Sequence, residues 1–286
     1  MDVQRHDDLA DFWDRTREFF NADPVFHTIP IAAVARRLGH PHPTDEQPTL
    51  LTVSEGGELV AAALRTPPWP LTLSGVPEKW ADAVAEHLVG VEVPGVNGPR
   101  PAVEAFARAW AARTGCDARE VTALRLYRLD ELEPPAAVPG ASRRATEDDA
   151  ELLIRWYRDF VDESTPHDST EEAAAAFVRP SLAAGSGHVL WVDGDQPVAW
   201  AASGVPASGM CRIGPVFTPA EHRRNGYAAA ATAACARWAL DRGVEHVVLF
   251  TDLANPTSNS IYQRIGFRPV CDAAEFVFTQ PDRERP

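Results

Sequence analysis

The residues with the clearest chemical potential form one run, Arg223-Arg-Asn-Gly-Tyr-Ala228, between a β-rich stretch and an Ala-rich one. Val216 and Phe217 carry β-propensity, and Pro219 keeps a paired strand from continuing. Ala228 to Ala231 are strong helix formers, and Gly243 supplies a helix stop. The pattern predicts a strand ending near Thr218, a tight turn, and a helix opening near Asn225. A helix start carries N–H groups without internal partners and roughly half a positive charge. It binds anions where no side chain covers it. Gly226 and Ala228 leave the amides from Arg224 to Ala229 uncovered, and His222, Arg223 and Arg224 add positive charge. A diphosphate is the guest that suits such an end.

A second segment follows, Val247-Val-Leu-Phe-Thr-Asp-Leu-Ala-Asn-Pro-Thr-Ser-Asn-Ser-Ile-Tyr-Gln-Arg-Ile-Gly-Phe267. It reads as another strand-to-helix junction. Taken together, the two resemble the GNAT N-acetyltransferase superfamily over residues 141–280. Arg223-x-x-Gly226-x-Ala228 is similar to the family's acetyl-CoA pyrophosphate loop, Gln/Arg-x-x-Gly-x-Gly/Ala. The second segment is similar to its strand, Asn-Pro, and helix ending in Leu/Ile-Tyr-x-x-x-Gly-Phe.

The resemblance implies an enzyme that moves an acetyl group from acetyl-CoA to an amine by direct attack in a ternary complex, without a metal. It places the diphosphate on Arg223, Arg224, Asn225, Gly226, Tyr227, Ala228 and Ala229. It assigns backbone pairing with the pantetheine arm to Val216, Phe217 and Thr218. Asn255 takes the position of a side chain that bonds the pantetheine, with Ser258 beside it at the helix start. Tyr262 stands where the family has its general acid, a phenol that protonates the departing thiolate. A tyrosine between Ile261 and Ile265 also suits a core. The general base stays open among Asp252, Glu163 and His167, because Met210–Thr218 lacks the carboxylate that some relatives carry there.

These residues need scaffolding on both sides. Upstream, Thr146-Glu-Asp-Asp caps a helix bearing Leu152, Leu153, Trp156, Tyr157, Phe160 and Val161 on one face. A link with Asp162, Glu163, His167 and Asp168 leads to a helix starting at Ser169-Thr-Glu-Glu172. In GNAT enzymes this link borders the acceptor pocket, and these side chains suit an ammonium or a proton relay as well as a solvated loop. A hairpin turns at Asp193-Gly-Asp-Gln196.

The first half repeats this order. Two helices (about residues 8–21 and 24–38) precede a hairpin through Glu55-Gly-Gly-Glu58, a strand Leu71–Ser74, a helix from Pro77, an extended piece, a helix over 101–113 and a strand Val121–Leu129. It therefore resembles a degenerate GNAT module. Ser74-Gly-Val-Pro-Glu-Lys-Trp80 has no Arg-x-x-Gly-x-Gly/Ala, and Trp80 is bulky where small residues are needed. The expected fold class is α/β (α+β), with two modules of mixed, mostly antiparallel sheet flanked by helices. The expected domains are 1–133, a proline-rich linker 134–142, and a catalytic domain 143–286.

Composition narrows the function classes. The net charge of −14 argues against a nucleic-acid partner and is compatible with attraction of a cationic amine. No apolar run has membrane-spanning length, the N terminus does not read as a signal peptide, and the four cysteines are scattered without Cys-x-x-Cys. These features suggest a cytoplasmic protein, monomer or homodimer, with reduced thiols. His40 and His42 lie in a proline-rich loop and read as solvated rather than metal-binding. Among other classes, an ATPase lacks its Gly-x-x-x-x-Gly-Lys-Ser/Thr, since Lys79 is the only lysine. A non-catalytic acyl-CoA-binding or regulatory module remains the alternative.

Overall fold

The computed structural model describes residues 1–41, 45–164 and 170–280. His42, His167 and Asp168 lie outside the described residues. The chain divides into two compact units, Leu126–Val270, and Met1–Arg125 joined by the chain from Cys271 onward.

In the first part of the chain the order is β1 (Asp2–His6), α1 (Leu9–Ala22), α2 (Thr28–Gly39), β2 (Thr49–Glu55), β3 (Glu58–Arg65), β4 (Leu71–Ser74), α3 (Ala81–His87), β5 (Gly95–Pro99), α4 (Arg100–Thr114) and β6 (Asp117–Leu129). The second part runs through β7 (Ala141–Arg144), α5 (Ala150–Ser164), α6 (Glu171–Ala183), β8 (Gly187–Asp193), β9 (Gln196–Ser203), β10 (Met210–Phe217), α7 (Tyr227–Leu240), β11 (His246–Asp252), α8 (Pro256–Arg264) and β12 (Phe267–Thr279). The same sequence of elements occurs twice, as the repeated pattern in the sequence implies.

Strand directions repeat as well. β1 to β4 pair antiparallel in order, and β4 pairs parallel with β5. β7 to β10 likewise pair antiparallel, and β10 pairs parallel with β11. The closing strands are exchanged. In the first unit β5 is completed by β12, Ala273–Val277 pairing with Gly95–Pro99, while β11 has β6 as its neighbour. The fold is thus α/β, with mixed, mostly antiparallel pairing and flanking helices, as expected. The compact units are not consecutive halves of the chain, because β12 returns to the first unit for its backbone hydrogen bonds.

Local chemistry explains most elements. Asp8 caps α1 by accepting from the Asp11 amide at 2.8 Å, and Phe12, Thr16 and Phe20 form its buried face. A Thr146/Asp149 capping box precedes α5, and the Thr170 hydroxyl caps α6 by accepting from Ala173 N–H. Gly56, Gly57 and Gly194 take the positive φ that the two hairpin turns require. In the second unit, Ile213, Val247 and Leu249 of the sheet pack with Ala231, Cys235 and Trp238 of α7. On the other sheet face, Leu190, Trp200 and Ala202 pack with Leu153 and Trp156 of α5 and Ala174 and Val178 of α6. Strands β1 and β7 escape a reading by hydrophobic alternation. Val3 is the one buried residue of β1, and β7 (Ala-Ser-Arg-Arg) is wholly exposed. Both are polar edge strands, a common way to discourage edge-to-edge pairing.

Candidate active site

The site begins where β10 and β11 part. Their parallel pairing covers Met210–Ile213 with His246–Leu249, yet β10 continues to Phe217 and β11 to Asp252. On its other side β10 keeps to β9, with Ile213 opposite Ser203, a register shift, then Val216 opposite Ala201 and Phe217 opposite Trp200. The shift falls at Gly214-Pro215, where proline offers no N–H to a ladder. Val216 and Phe217 therefore hold β9 on one edge and face an opening fork on the other. The Thr218 hydroxyl oxygen is buried and meets no partner among the described residues.

The chain then turns through Ala220–His222 into the loop. Arg224 (φ 68) and Gly226 (φ 84) both take left-handed backbone conformations, and Gly226 caps α7. The first helical bond is Ala230 N–H to Gly226 O at 3.1 Å. Among the described residues, no acceptor meets the amides from Arg224 to Ala229. Uncovered amides at a helix start, reached through a turn with left-handed residues, form an anion-binding concavity. A Cβ built on Gly226 would lie 3.1 Å from Val138 Cγ2, so the loop is backed by the connecting segment.

Side chains of the loop are mostly engaged with the protein. Arg223 Nε donates to Thr218 O at 2.9 Å, and its Nη2 donates to both oxygens of Glu163 at 2.6 and 2.7 Å. Asn225 Nδ2 donates to His222 O and Arg223 O. The Tyr227 hydroxyl donates to Asp193 Oδ2 at 2.6 Å, which raises the phenol pKa. Arg224 is exposed, Ala228 half-buried and Ala229 buried. An anion in this loop would thus meet mainly backbone amides. Neither Val138 nor Asp193 could be found from the sequence, because their roles come from distant packing.

At the end of β11, Asn255 Oδ1 accepts from Ser258 N–H at 3.0 Å and caps α8. Asn259 Nδ2 donates to Asp252 O and Asn255 O, and its Oδ1 accepts from the buried Tyr127 hydroxyl at 2.8 Å. Gln263 Nε2 completes this network by donating to Tyr127 at 3.0 Å. Tyr262 is buried, with its ring edge-on to Phe267 at 6.2 Å between centroids. Burial pushes its pKa up to about 12, while the Ser258 hydroxyl one turn earlier pulls it the other way. The phenol therefore keeps its proton at neutral pH, and in a proton transfer it is suited to the acid's role. Of the open base candidates, Glu163 is held by Arg223, and exposed Asp252 accepts from the Ala254 amide at 2.7 Å.

The corresponding place in the first unit is filled. The β4–β5 pairing reaches Thr72 and Asn97, and a Cβ on Gly98 would lie 2.5 Å from Leu73 O, so the two backbones press together instead of parting. The following turn carries buried Trp80, and a Cβ on Gly75 would meet the Phe19 ring at 2.8 Å. Ser74 Oγ is hydrogen-bonded to His27 Nδ1 at 2.6 Å. Among the described residues, no group of three or more His, Cys, Asp or Glu could hold a metal, and no helix is long and apolar enough to cross a membrane.

A strand fork that opens onto an uncovered helix start is an α/β architecture suited to an extended ligand that carries an anionic group. Residues 150–267 match the model of the Acetyltransferase (GNAT) family, and this part of the chain is a GNAT domain. The whole chain is similar in fold to an acetyltransferase of the GNAT family from Colwellia psychrerythraea, with 9% identity and a TM-score of 0.63 over 98% of this chain and 100% of that one. A tandem GNAT protein from the clavulanic acid biosynthesis pathway shares 12% identity, with a TM-score of 0.58 over 97% and 98% of the two chains. A GCN5-related N-acetyltransferase from Sphaerobacter thermophilus shares 18% identity, with a TM-score of 0.59 over 96% and 94%. Coverage of both units means that the first, too, has a GNAT-like fold. No curated protein matches the chain.

Proposed function

We propose that the protein is a cytoplasmic acetyl-CoA-dependent N-acetyltransferase acting on an amine of a small molecule or peptide by direct attack in a ternary complex. The observation that carries this reading is the run of amides from Arg224 to Ala229 without acceptors, beside the fork at Ile213 and within a GNAT domain. These residues fit acetyl-CoA, which supplies an acetyl thioester when bound. The amides of Arg224, Asn225, Gly226, Tyr227, Ala228 and Ala229 would hold its diphosphate, with Arg223 fixing the turn. Val216, Phe217 and Thr218 offer a strand edge to an extended arm. Asn255 and Ser258 shape the mouth of the fork from the start of α8. Tyr262 keeps a proton on its hydroxyl for a leaving sulfur. The net charge of −14 favours the approach of a cationic amine.

The packing of Tyr262 against Phe267 and the capture of Glu163 by Arg223 favour a second reading, a non-catalytic acyl-CoA-binding module. Calorimetric titration with acetyl-CoA, followed by a CoA-release screen over amines, polyamines, aminoglycosides, amino acids and peptides, separates the two. Binding with amine-dependent release supports the enzyme. Binding without release for any acceptor supports the module, and no binding overturns both.

A further inference from the structure

Arg212 occupies the last turn of the β10 ladder before the fork. It stands opposite Val248, one residue ahead of the final pair Ile213–Leu249. Its neighbours Cys211 and Ile213 belong to the apolar cluster on the α7 face. Alternation along a strand therefore sends the Arg212 side chain to the opposite face, the one covered by α5 and α6. That is the sheet face away from the loop helix.

The side chain is half-buried, and no hydrogen-bonding or ion-pair partner meets its guanidinium among the described residues. Other arginines in the same unit show the usual solution, Arg143 with Asp149 and Arg223 with Glu163. Burial pulls the Arg212 pKa down, and the neighbouring Cys211 thiol opposes it. In a chain with 41 acidic residues against 27 basic ones, a half-buried cation that no carboxylate among the described residues matches carries a desolvation cost. The planar guanidinium fork pairs best with a carboxylate or phosphate, through two parallel hydrogen bonds.

We propose that Arg212 binds an anionic group of the acceptor, so that the acceptor is an amine that also carries an acid, as an amino acid does. This inference rests on the acetyl-transfer reading and deepens it by naming the acceptor class. Arg212 is a specificity-determining residue at the acceptor side of the fork. It takes no part in proton transfer, because a guanidinium keeps its proton at working pH.

The test compares CoA release from acetyl-CoA for L-amino acids, their decarboxylated amines, and phosphoethanolamine, with the wild type, Arg212→Gln and Arg212→Lys. Acid-bearing amines are expected to be the better wild-type substrates. Arg212→Gln should raise their KM by about 10²-fold, the scale of removing one partner of a buried hydrogen-bonded charge pair, with little change in kcat. It should leave the decarboxylated amines and acetyl-CoA affinity unchanged, and Arg212→Lys should recover part of the loss. Preference for phosphoethanolamine over the amino acids would support the role of Arg212 and assign the anion as a phosphate. Calorimetric titration of the CoA-loaded wild type with N-acetyl-amino acids and N-acetyl-amines gives a readout free of turnover, and tighter binding of the acids is expected. Wild-type preference for the decarboxylated amines, an equal effect of Arg212→Gln on both classes, or no binding of either product class would overturn the proposal. Failure of acetyl-CoA itself to bind would instead bring down the acetyl-transfer reading beneath it.

Discussion

Arg223 Nη2 lies 2.6 and 2.7 Å from the two carboxylate oxygens of Glu163, so the first arginine of the loop is tied to α5. The same side chain reaches Thr218 O through Nε, which joins the end of β10, the loop and α5 through one residue. Both partners are exposed, and an exposed ion pair contributes about 0–1 kcal/mol to stability. Glu163→Gln should leave thermal unfolding nearly unchanged and weaken acetyl-CoA binding less than about tenfold, a change of about 1.4 kcal/mol. Calorimetry and a thermal melt check both values. A far larger loss of affinity would mean that the ion pair, rather than the backbone, sets the loop geometry.

Gly226 is the stronger determinant. Gly226→Val forces a β-branched residue into φ 84 and places its Cβ against Val138. It should cost ~1–3 kcal/mol of acetyl-CoA affinity, the scale of stranding buried donors. The left-handed backbone should cost a further ~1–2 kcal/mol of stability. Adding Val138→Ala relieves the contact but leaves the backbone strain, so stability should return only in part. Unchanged affinity in folded Gly226→Val protein would show that the anion binds elsewhere.

Tyr262→Phe keeps the ring on Phe267 and removes the proton. Turnover on a confirmed acceptor should fall by roughly 10²–10⁴-fold, as for a lost general acid, with acetyl-CoA affinity nearly unchanged. With its pKa pushed up to about 12, the phenol stays protonated below that value. The wild-type rate should therefore show no alkaline limb from Tyr262 up to about pH 11. Wild-type activity in Tyr262→Phe would leave the residue as core packing.

One acetyl-CoA should bind per chain. The closed β4–β5 junction at Gly98 and the buried Trp80 leave the first unit without the fork and without the free helix start. Titration giving two equivalent sites per chain would contradict this.

Acid should weaken the fold through His188, which is buried, stacked on Trp200 and bonded to Ser181. Burial lowers its pKa to about 4, from 6.5 when unfolded. Between these values the unfolded chain binds more protons, so the contribution is fully present above pH 6.5 and is lost as pH falls toward 4. The change is about 3 kcal/mol for this group. Urea unfolding at pH 7 and pH 4.5 measures it, and His188→Gln should flatten part of the difference.

Much of this molecule is legible in short stretches of sequence. Gly226, Ala228 and Pro219 specify the loop because they act through local backbone freedom and the lack of a side chain. The capping residues Asp8, Thr146 and Thr170 and the turn at Gly194 act over a few residues, so their elements are readable in the chain. The repeated order of helices and strands is visible for the same reason. Tertiary structure decided the rest. The exchange of β12 onto Gly95–Pro99 is made of backbone hydrogen bonds, which carry no side-chain signature. Arg223 meeting Glu163, Gly226 meeting Val138 and Tyr127 meeting Asn259 join residues 60, 88 and 132 positions apart. Arg212 reads in the sequence as one more charged residue on a strand. Its lack of a carboxylate partner among the described residues follows only from which face the strand turns inward.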